Sequence, residues 1–197
     1  MNHRGQALGS VRSARSGGPD SHDDESESSQ IVYAYDEATS TNGAGNLTSK
    51  TQQRGPSGSA VSTTVRYHYD ALNRMTAKAY AGTPDAVVTP AVNYTYDVHE
   101  AAIAGSYPKG RRTRAEAVGV SVTLLESFDA VGRVTRSKQV TGTTPYRFGT
   151  DPLAGYEYLL NGELAKLRMP SGRELTYQHD EAGRPVGLSD GTKTYGL

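Results

Sequence analysis

The chain of 197 residues has no cysteine and no tryptophan, two phenylalanines, and no excess charge of either sign, with 21 basic and 21 acidic side chains. The missing cysteines exclude disulfides, thiolate zinc sites and cysteine nucleophiles together. The balanced charge and a pI near 7.0 remove any global attraction to nucleic acid or to an anionic membrane. No run approaches the roughly 20 consecutive apolar residues that a membrane helix needs. Apolar residues make up only 35%, and the mean hydropathy is −0.61, so a single compact core would be thin. What the chain does have is tyrosine, thirteen of them, with 22 glycines and 9 prolines.

Residues 1–30 hold no aromatic residue, seven serines and four glycines. Basic Arg4, Arg12 and Arg15 precede an acidic run of Asp20, Asp23, Asp24, Glu25 and Glu27. Such a segment buries too little apolar surface to offset its ordering entropy, so it is expected to be disordered, the acidic run acting as a solvated linker. A signal peptide needs about 7–15 apolar residues after the basic start. Only Ala7, Leu8 and Val11 are present, separated by polar or small residues, so no export signal is expected in this chain.

From residue 31 to 197 the tyrosines recur in register. The copies begin Tyr33-Ala-Tyr35-Asp36, Tyr67-His-Tyr69-Asp70, Tyr94-Thr-Tyr96-Asp97, Glu126-Ser-Phe128-Asp129, Tyr156-Glu-Tyr158 and Tyr177-Gln-His179-Asp180. A glycine or asparagine follows, then a short basic and apolar cluster. The plainest continuations are Asp129-Ala-Val-Gly132-Arg133-Val134-Thr135 and Asp180-Glu-Ala-Gly183-Arg184-Pro185-Val186. Asn73 takes the glycine position in the second copy; the first and third carry extra residues before Gly45 and Gly110. The fifth keeps Gly162 and Leu164 but has Leu159 in place of the aspartate. The shortest step, from Tyr158 to His179, is 21 residues, the basic unit.

The chemistry of one unit follows from these residues. Tyr-x-Tyr spacing places both rings on one face of a strand, because side chains alternate. Aspartate with glycine three residues later is a tight-turn pattern: the carboxylate bonds the backbone two residues on. The glycine takes the left-handed conformation of a bulge after a type I turn, and asparagine tolerates positive φ. Arg-Val-Thr or Arg-Met-Thr then opens a return strand. Further turns are expected at Pro170–Arg173 and Ser189–Thr192. Each unit is one β-hairpin, and six give about a dozen strands.

A lone hairpin is marginal in water; stacked hairpins bury one another's faces and become a repeat array. Tyrosine rows across neighbouring strands add roughly 0.2–1 kcal/mol per pair, with hydroxyls left in contact with water. Glycine and proline interrupt every helical candidate, and the exceptions, Val98–Ala104 and Thr123–Glu126, are short. The expected fold is all-β, a curved antiparallel ribbon of tandem hairpins.

The Tyr-x-Tyr-Asp-x-x-Gly-Arg-x-Thr pattern, seen best in Tyr67–Thr76, Phe128–Thr135 and Tyr177–Val186, resembles the YD repeat of the Rhs family. That family includes Rhs and wall-associated polymorphic toxins of bacteria, the C subunits of insecticidal toxin complexes, and animal teneurins. The resemblance spans roughly residues 31–197 and implies a β-ribbon that spirals into a hollow shell. In the toxins such a shell encloses a C-terminal effector; in teneurins it serves adhesion. It implies a secreted or cell-surface setting, with a toxin or effector domain or further YD repeats as partners. Two departures are visible. Asp151-Pro152-Leu153 lacks the surrounding pattern of the self-cleaving region of those toxins, so autoproteolysis is not expected. Thr194–Leu197 reads as the start of a seventh repeat, and six units are too few to close a shell, so the chain is expected to be a fragment of a longer locus or a degenerate orphan copy.

No catalytic, cofactor or metal site is expected. His179-Asp180 and His68 near Asp70 fall on repeat positions, where an aromatic and a turn residue are needed for structure. The five histidines have no metal-ligand spacing, and His99-Glu100 is an isolated pair. Lys109, Arg111, Arg112 and Arg114 beside Tyr107 could form a polyanion patch, yet two of these arginines fall at or next to the repeat's own arginine position, which favours a strand-surface role. Asn46-Leu-Thr48 and Asn93-Tyr-Thr95 are glycosylation sequons outside a eukaryotic secretory context. The leading expectation is a non-enzymatic structural repeat region. The alternative is a surface module binding glycans or proteins through its tyrosine rows, Tyr156 and Tyr158 foremost.

Overall fold

The computed structural model describes residues 29–36, 45–55, 61–82, 89–100, 103–150 and 153–196. Nearly all of the N-terminal segment expected to be disordered, and Asp151 and Pro152, lie outside the described residues. The chain divides into two units, Met1–Asn93 and Tyr94–Leu197, with the boundary inside one strand. Among the described residues the fold is all-β, with no helix: fourteen strands pair antiparallel with their neighbours in sequence, except that the ninth and tenth do not pair with each other.

In the first unit, β1 (Ser29–Tyr35), β2 (Leu47–Arg54), β3 (Val61–Tyr69) and β4 (Met75–Gly82) form an antiparallel meander. The start of β5 (Val92–Tyr96) pairs with β4 through Lys78↔Val92 and Ala77↔Asn93. Alternation is visible in β3, where Arg66 and His68 are exposed and Tyr67 and Tyr69 half-buried. Cross-strand pairs stand where a large core would otherwise be: Thr51 and Thr64 hydroxyls meet at 2.9 Å, and the Lys50 ammonium lies 5.9 Å from the Tyr33 ring centre.

The second unit begins with the rest of β5 and continues through β6 (Arg112–Ala117), β7 (Ser121–Phe128), β8 (Val134–Thr141) and β9 (Thr144–Phe148). A second run follows: β10 (Tyr156–Tyr158), β11 (Leu164–Arg168), β12 (Glu174–His179), β13 (Pro185–Ser189) and β14 (Thr194–Gly196). The best-buried residues lie in β6–β8, where Leu124 and Phe128 are 5% and 3% exposed and Thr113, Ser127 and Ser137 are buried as well. Thr123–Glu126, one of the two short helical exceptions, lies within β7, where Thr123, Leu124 and Leu125 pair with Gln139, Lys138 and Ser137 of β8.

Six motif copies give twelve of the fourteen strands. The remaining two are β14 and β9, the latter not announced by the repeat pattern. Strand β9 returns along β8 through the two-residue turn Gly142-Thr143, with Thr141 opposite Thr144 and Gly142 at φ +58°. Its Phe148 ring stacks on Tyr156 of β10 at 5.8 Å. Where the two runs meet, the Gly155 amide donates to the Thr135 carbonyl, and the Gly155 carbonyl accepts from the Arg168 amide, both at 2.7 Å. A Cβ on Gly155 would lie 2.1 Å from the Phe148 carbonyl oxygen, so this crossing tolerates no side chain.

Candidate functional site: the turn column and its seam

The repeat's polar residues converge on one structural device, the turn between the Tyr-x-Tyr strand and the return strand. In the second hairpin Asn73 N–H donates to the Asp70 carbonyl (2.9 Å) and Asp70 N–H to the Arg74 carbonyl (3.0 Å). Asp70 Oδ1 accepts from the amides of Leu72 and Arg74, and Oδ2 from Arg74 Nε at 2.7 Å. The same set recurs at Asp129, with Val131, Arg133 and the Arg133 side chain, and at Asp180, with Ala182, Arg184 and the Arg184 side chain. One carboxylate thus organises the turn and tethers the arginine that leaves it. The fourth position needs positive φ: Gly132, Gly162 and Gly183 stand at +94°, +96° and +80°, and Asn73 at +59°.

Insertions leave the closing contacts in place. Asp36 N–H donates to the Asn46 carbonyl and Asn46 N–H to Asp36 Oδ1. Asp97, at φ +70°, donates to the Arg111 carbonyl and accepts from Gly110 N–H at 2.6 Å. In the fifth hairpin, where Leu159 replaces the aspartate, Asn161 Oδ1 accepts from Glu163 N–H at 3.2 Å instead. The turn at Pro170–Arg173 closes through Met169 and Arg173, with Gly172 at φ +84°, and that at Ser189–Thr192 through Asp190 and Lys193, with Gly191 at φ +84°.

The motif's threonine position has its own role. Register shifts in five hairpins leave Thr48, Thr76, Thr135, Ala165 and Val186 without a partner on the facing strand. This extra residue is a β-bulge, which increases local twist. Thr48 Oγ1 donates to the Ala34 carbonyl at 3.1 Å, and Thr113 Oγ1 to the Thr95 carbonyl at 3.2 Å. The hydroxyl thus supplies a donor to the facing strand where regular pairing is interrupted.

Successive hairpins are joined by a seam that sequence reasoning did not identify. The second aromatic of one copy reaches back to the first return-strand residue of the copy before it. Tyr69 O–H donates to the Leu47 carbonyl, and Tyr158 O–H to the Val134 carbonyl, both at 2.9 Å. Burial raises both phenol pKa values, Tyr69 with help from Tyr67 and Tyr158 with help from Tyr156, so both stay protonated donors. The residue after the turn glycine packs forward onto the next copy. The Arg133 guanidinium lies 4.6 Å from the Tyr158 ring centre and donates to the Leu159 carbonyl. Arg111 lies 5.8 Å from the Phe128 ring centre and under Gly132, where a Cβ would meet its guanidinium at 2.0 Å. Asn46 Nδ2 donates to Asn73 Oδ1 at 2.8 Å. In the last seam both partners change together: Glu163 lies under Gly183, and its carboxylate faces His179 Nε2 at 3.8 Å. That joint exchange, readable by comparing copies within this one sequence, is the signal that could have revealed the seam.

The electrostatics follow the geometry. The Asp70 carboxyl is held below its ordinary value mainly by the Arg74 amide, and Asp180 mainly by the Arg184 side chain. At Asp129 burial pushes upward, and the Arg133 side chain and amide outweigh it. All three carboxylates are therefore committed to their turns.

The other candidate residues are engaged in similar ways. His68 is exposed on the opposite face from Tyr67 and Tyr69, and His179 faces Glu163, while Asp180 serves its turn. Arg112 lies 5.5 Å from the Tyr94 ring centre, and Arg114 pairs with Glu100 at 2.6 Å and Glu116 at 3.2 Å. With Arg111 in the seam, most of the basic cluster is spent internally. Tyr96 and Tyr177 are half-buried and Tyr35 is 45% exposed. Tyr156 shares a hydrogen bond with Ser137 and stacks on Phe148, so with Tyr158 it serves packing between hairpins. Among the described residues no group of three histidine or carboxylate side chains could hold a metal ion.

No protein-family model and no curated protein matches the chain. Among solved structures, the crystal structure of TcdB2-TccC3-Cdc42 is similar over 85% of this chain and 9% of that one, at 15% identity and a TM-score of 0.47. A Photorhabdus luminescens Tc holotoxin pore structure with a TccC3 mutation is similar over 82% of this chain and 9% of that one, at 13% identity and a TM-score of 0.40. The chain therefore spans about a tenth of the length of these structures.

Proposed function

We propose that this chain is a non-enzymatic structural repeat region, one arc of a β-shell that encloses or presents a further domain. The setting that goes with this reading is secreted or cell-surface, and the partners are a toxin or effector domain or further repeats of the same kind. The observation that carries it is the seam: turn carboxylates, arginines and second aromatics are spent joining one hairpin to the next. Side chains committed in this way extend an array; they do not converge on a substrate. The YD-type motif adds the expectation of a shell.

The test uses the native product of the source organism and an antibody raised against residues 120–197. The expected result is a band far above 21 kDa whose additional domain resists protease until the β region is unfolded. A 21 kDa product, or a larger one whose extra domain is digested at once under native conditions, overturns the proposal.

A further inference from the structure

Among the turns, the fifth is the exception, with Leu159 where Asp70, Asp129 and Asp180 anchor the others. At Asp129 and Asp180 the Oδ1 atom accepts from the amides two and four residues on. In the fifth turn the amide four residues on, that of Glu163, goes to Asn161 Oδ1 at 3.2 Å. Asn161 Nδ2 in turn donates to Glu163 Oε2 at 2.8 Å. Leu159, Leu160, Asn161 and Gly162 are all exposed, and a Cβ on Gly162 would meet open space.

Asparagine is a thermolabile residue, and this setting exposes the reactive part of it. The Gly162 nitrogen can close a five-membered ring on the Asn161 side-chain carbon, and glycine offers no side chain to obstruct the approach. The Glu163 N–H on Oδ1 polarises that carbonyl and stabilises the negative charge that attack would develop there. Against the reaction stands one bond, from the Gly162 amide to the Leu159 carbonyl at 3.0 Å. Asp190-Gly191 makes the contrast. The Asp190 carboxylate accepts from the Thr192 and Lys193 amides and pairs with Arg173. Those contacts, the Thr192 hydroxyl foremost, hold its pKa far below the ordinary value, so it stays ionised and is a poor electrophile. Asn73 and Asn93 are followed by Arg74 and Tyr94, whose side chains hinder the approach.

We infer that Asn161 is a self-modification site, deamidating in water to aspartate and isoaspartate, and that the product loosens the joint between the fifth and sixth hairpins. First the Gly162 nitrogen bonds to Asn161 Cγ, its amide proton leaves, and the side-chain nitrogen departs as ammonia, which leaves a cyclic imide. Water then breaks one of the two imide C–N bonds. Cleavage at Cγ gives aspartate, and cleavage at the backbone carbonyl gives isoaspartate. One water is consumed and one ammonia released, with no change of oxidation state. Either product puts a second carboxylate where Nδ2 had donated to Glu163, and like charges repel. Isoaspartate also lengthens the turn by one backbone carbon. Glu163 faces His179 Nε2 at 3.8 Å and lies under Gly183, so the change falls on the last seam. The reaction needs only this turn and is independent of the shell reading.

The experiment keeps the full chain for days in neutral buffer at body temperature and then maps it with trypsin. Peptide 148–166 holds Asn161 as its one asparagine; Asn42-Gly43, outside the described residues, falls in a different peptide. Peptide 148–166 is expected to gain about 1 Da, an NH replaced by an O, and to split into two isomers. An isoaspartyl methyltransferase should label one of them, while the peptides of Asn73 and Asn93 stay unchanged. Leu159→Asp restores the missing turn carboxylate, which competes for the Glu163 amide, and should slow the reaction at least about fivefold. The aged chain should exchange amide hydrogens of β11–β13 faster than the fresh chain, and Asn161→Gln should remove that difference. No mass gain at Asn161, equal rates with and without Leu159→Asp, or unchanged exchange after ageing overturns the inference.

Discussion

Strands β6–β9 and β10–β14 are made from the same hairpin unit and are held by different forces. In the first set, Thr113, Leu124, Ser127, Phe128 and Ser137 are buried. In β10–β14 the one buried residue is Gly187, and half-exposed ion pairs link the strands. Arg168 meets Glu157 at 2.6 Å and Glu174 at 2.9 Å, and Lys166 meets Glu174 at 2.8 Å. Exposed pairs of this sort contribute roughly 0–1 kcal/mol each, whereas a buried phenyl ring contributes several times that. A repeat array can therefore keep one backbone plan while local side chains determine which copies are firm and which open first.

The largest expected break in this comparison is Phe128→Ala, at roughly 3–4 kcal/mol, read from urea unfolding of the full chain. Leu188→Ala, at a half-buried position in β13, should cost less than half as much. Equal losses would mean that the two regions are held alike.

Next comes the turn column. Gly132→Ala is expected to cost roughly 1–3 kcal/mol, because φ is +94° and Arg111 occupies the added methyl's space. Gly162→Ala has nearly the same φ, +96°, and open space, so its cost should be smaller. The difference between the two isolates the seam from the backbone. Tyr158→Phe should lose about 1 kcal/mol by removing the donor to the Val134 carbonyl, with little change in fluorescence or circular dichroism.

Exchanging the last seam for the common one should have a smaller effect, of the opposite sign. Glu163→Arg with His179→Tyr is expected to gain roughly 0.5–1 kcal/mol from a cation over an aromatic ring. Each single change should gain nothing, and a double-mutant cycle would show the coupling. Additive single effects would place the two residues in separate roles.

The smallest effect is in acid. Asp70, Asp129 and Asp180 have folded pKa values below the ordinary 3.8. Their contribution is therefore complete above the unfolded value and is lost as pH falls through the folded values. The urea midpoint should be unaffected by these groups from pH 5 to 7 and decline below pH 4. Asp129→Asn should reduce that decline; an unchanged acid slope would show that other groups cause it.

The hairpin itself was legible in the sequence because it depends on local rules. Period-two alternation, an aspartate able to bond its own turn, and glycine or asparagine at positive φ act within about five residues, so they can be read without a fold. The seam was not legible by the same reasoning. Asn46 meets Asn73, Arg111 meets Phe128, and Glu163 meets His179, each across 16 to 27 positions, and no local pattern indicates which partner will arrive there. Strand β9 was hidden because it lies outside the repeat period.

The sequence by itself therefore determined the all-β class and the positions of the motif turns, since sterics and local hydrogen bonding decide both. Tertiary structure alone decided that Thr48, Thr76 and Thr135 would be bulge residues, because a bulge exists only relative to a paired strand. It also decided that Leu124 and Phe128 would be the best-buried apolar residues among those described. Those outcomes depend on register between strands, and register is set by the stacking of whole hairpins.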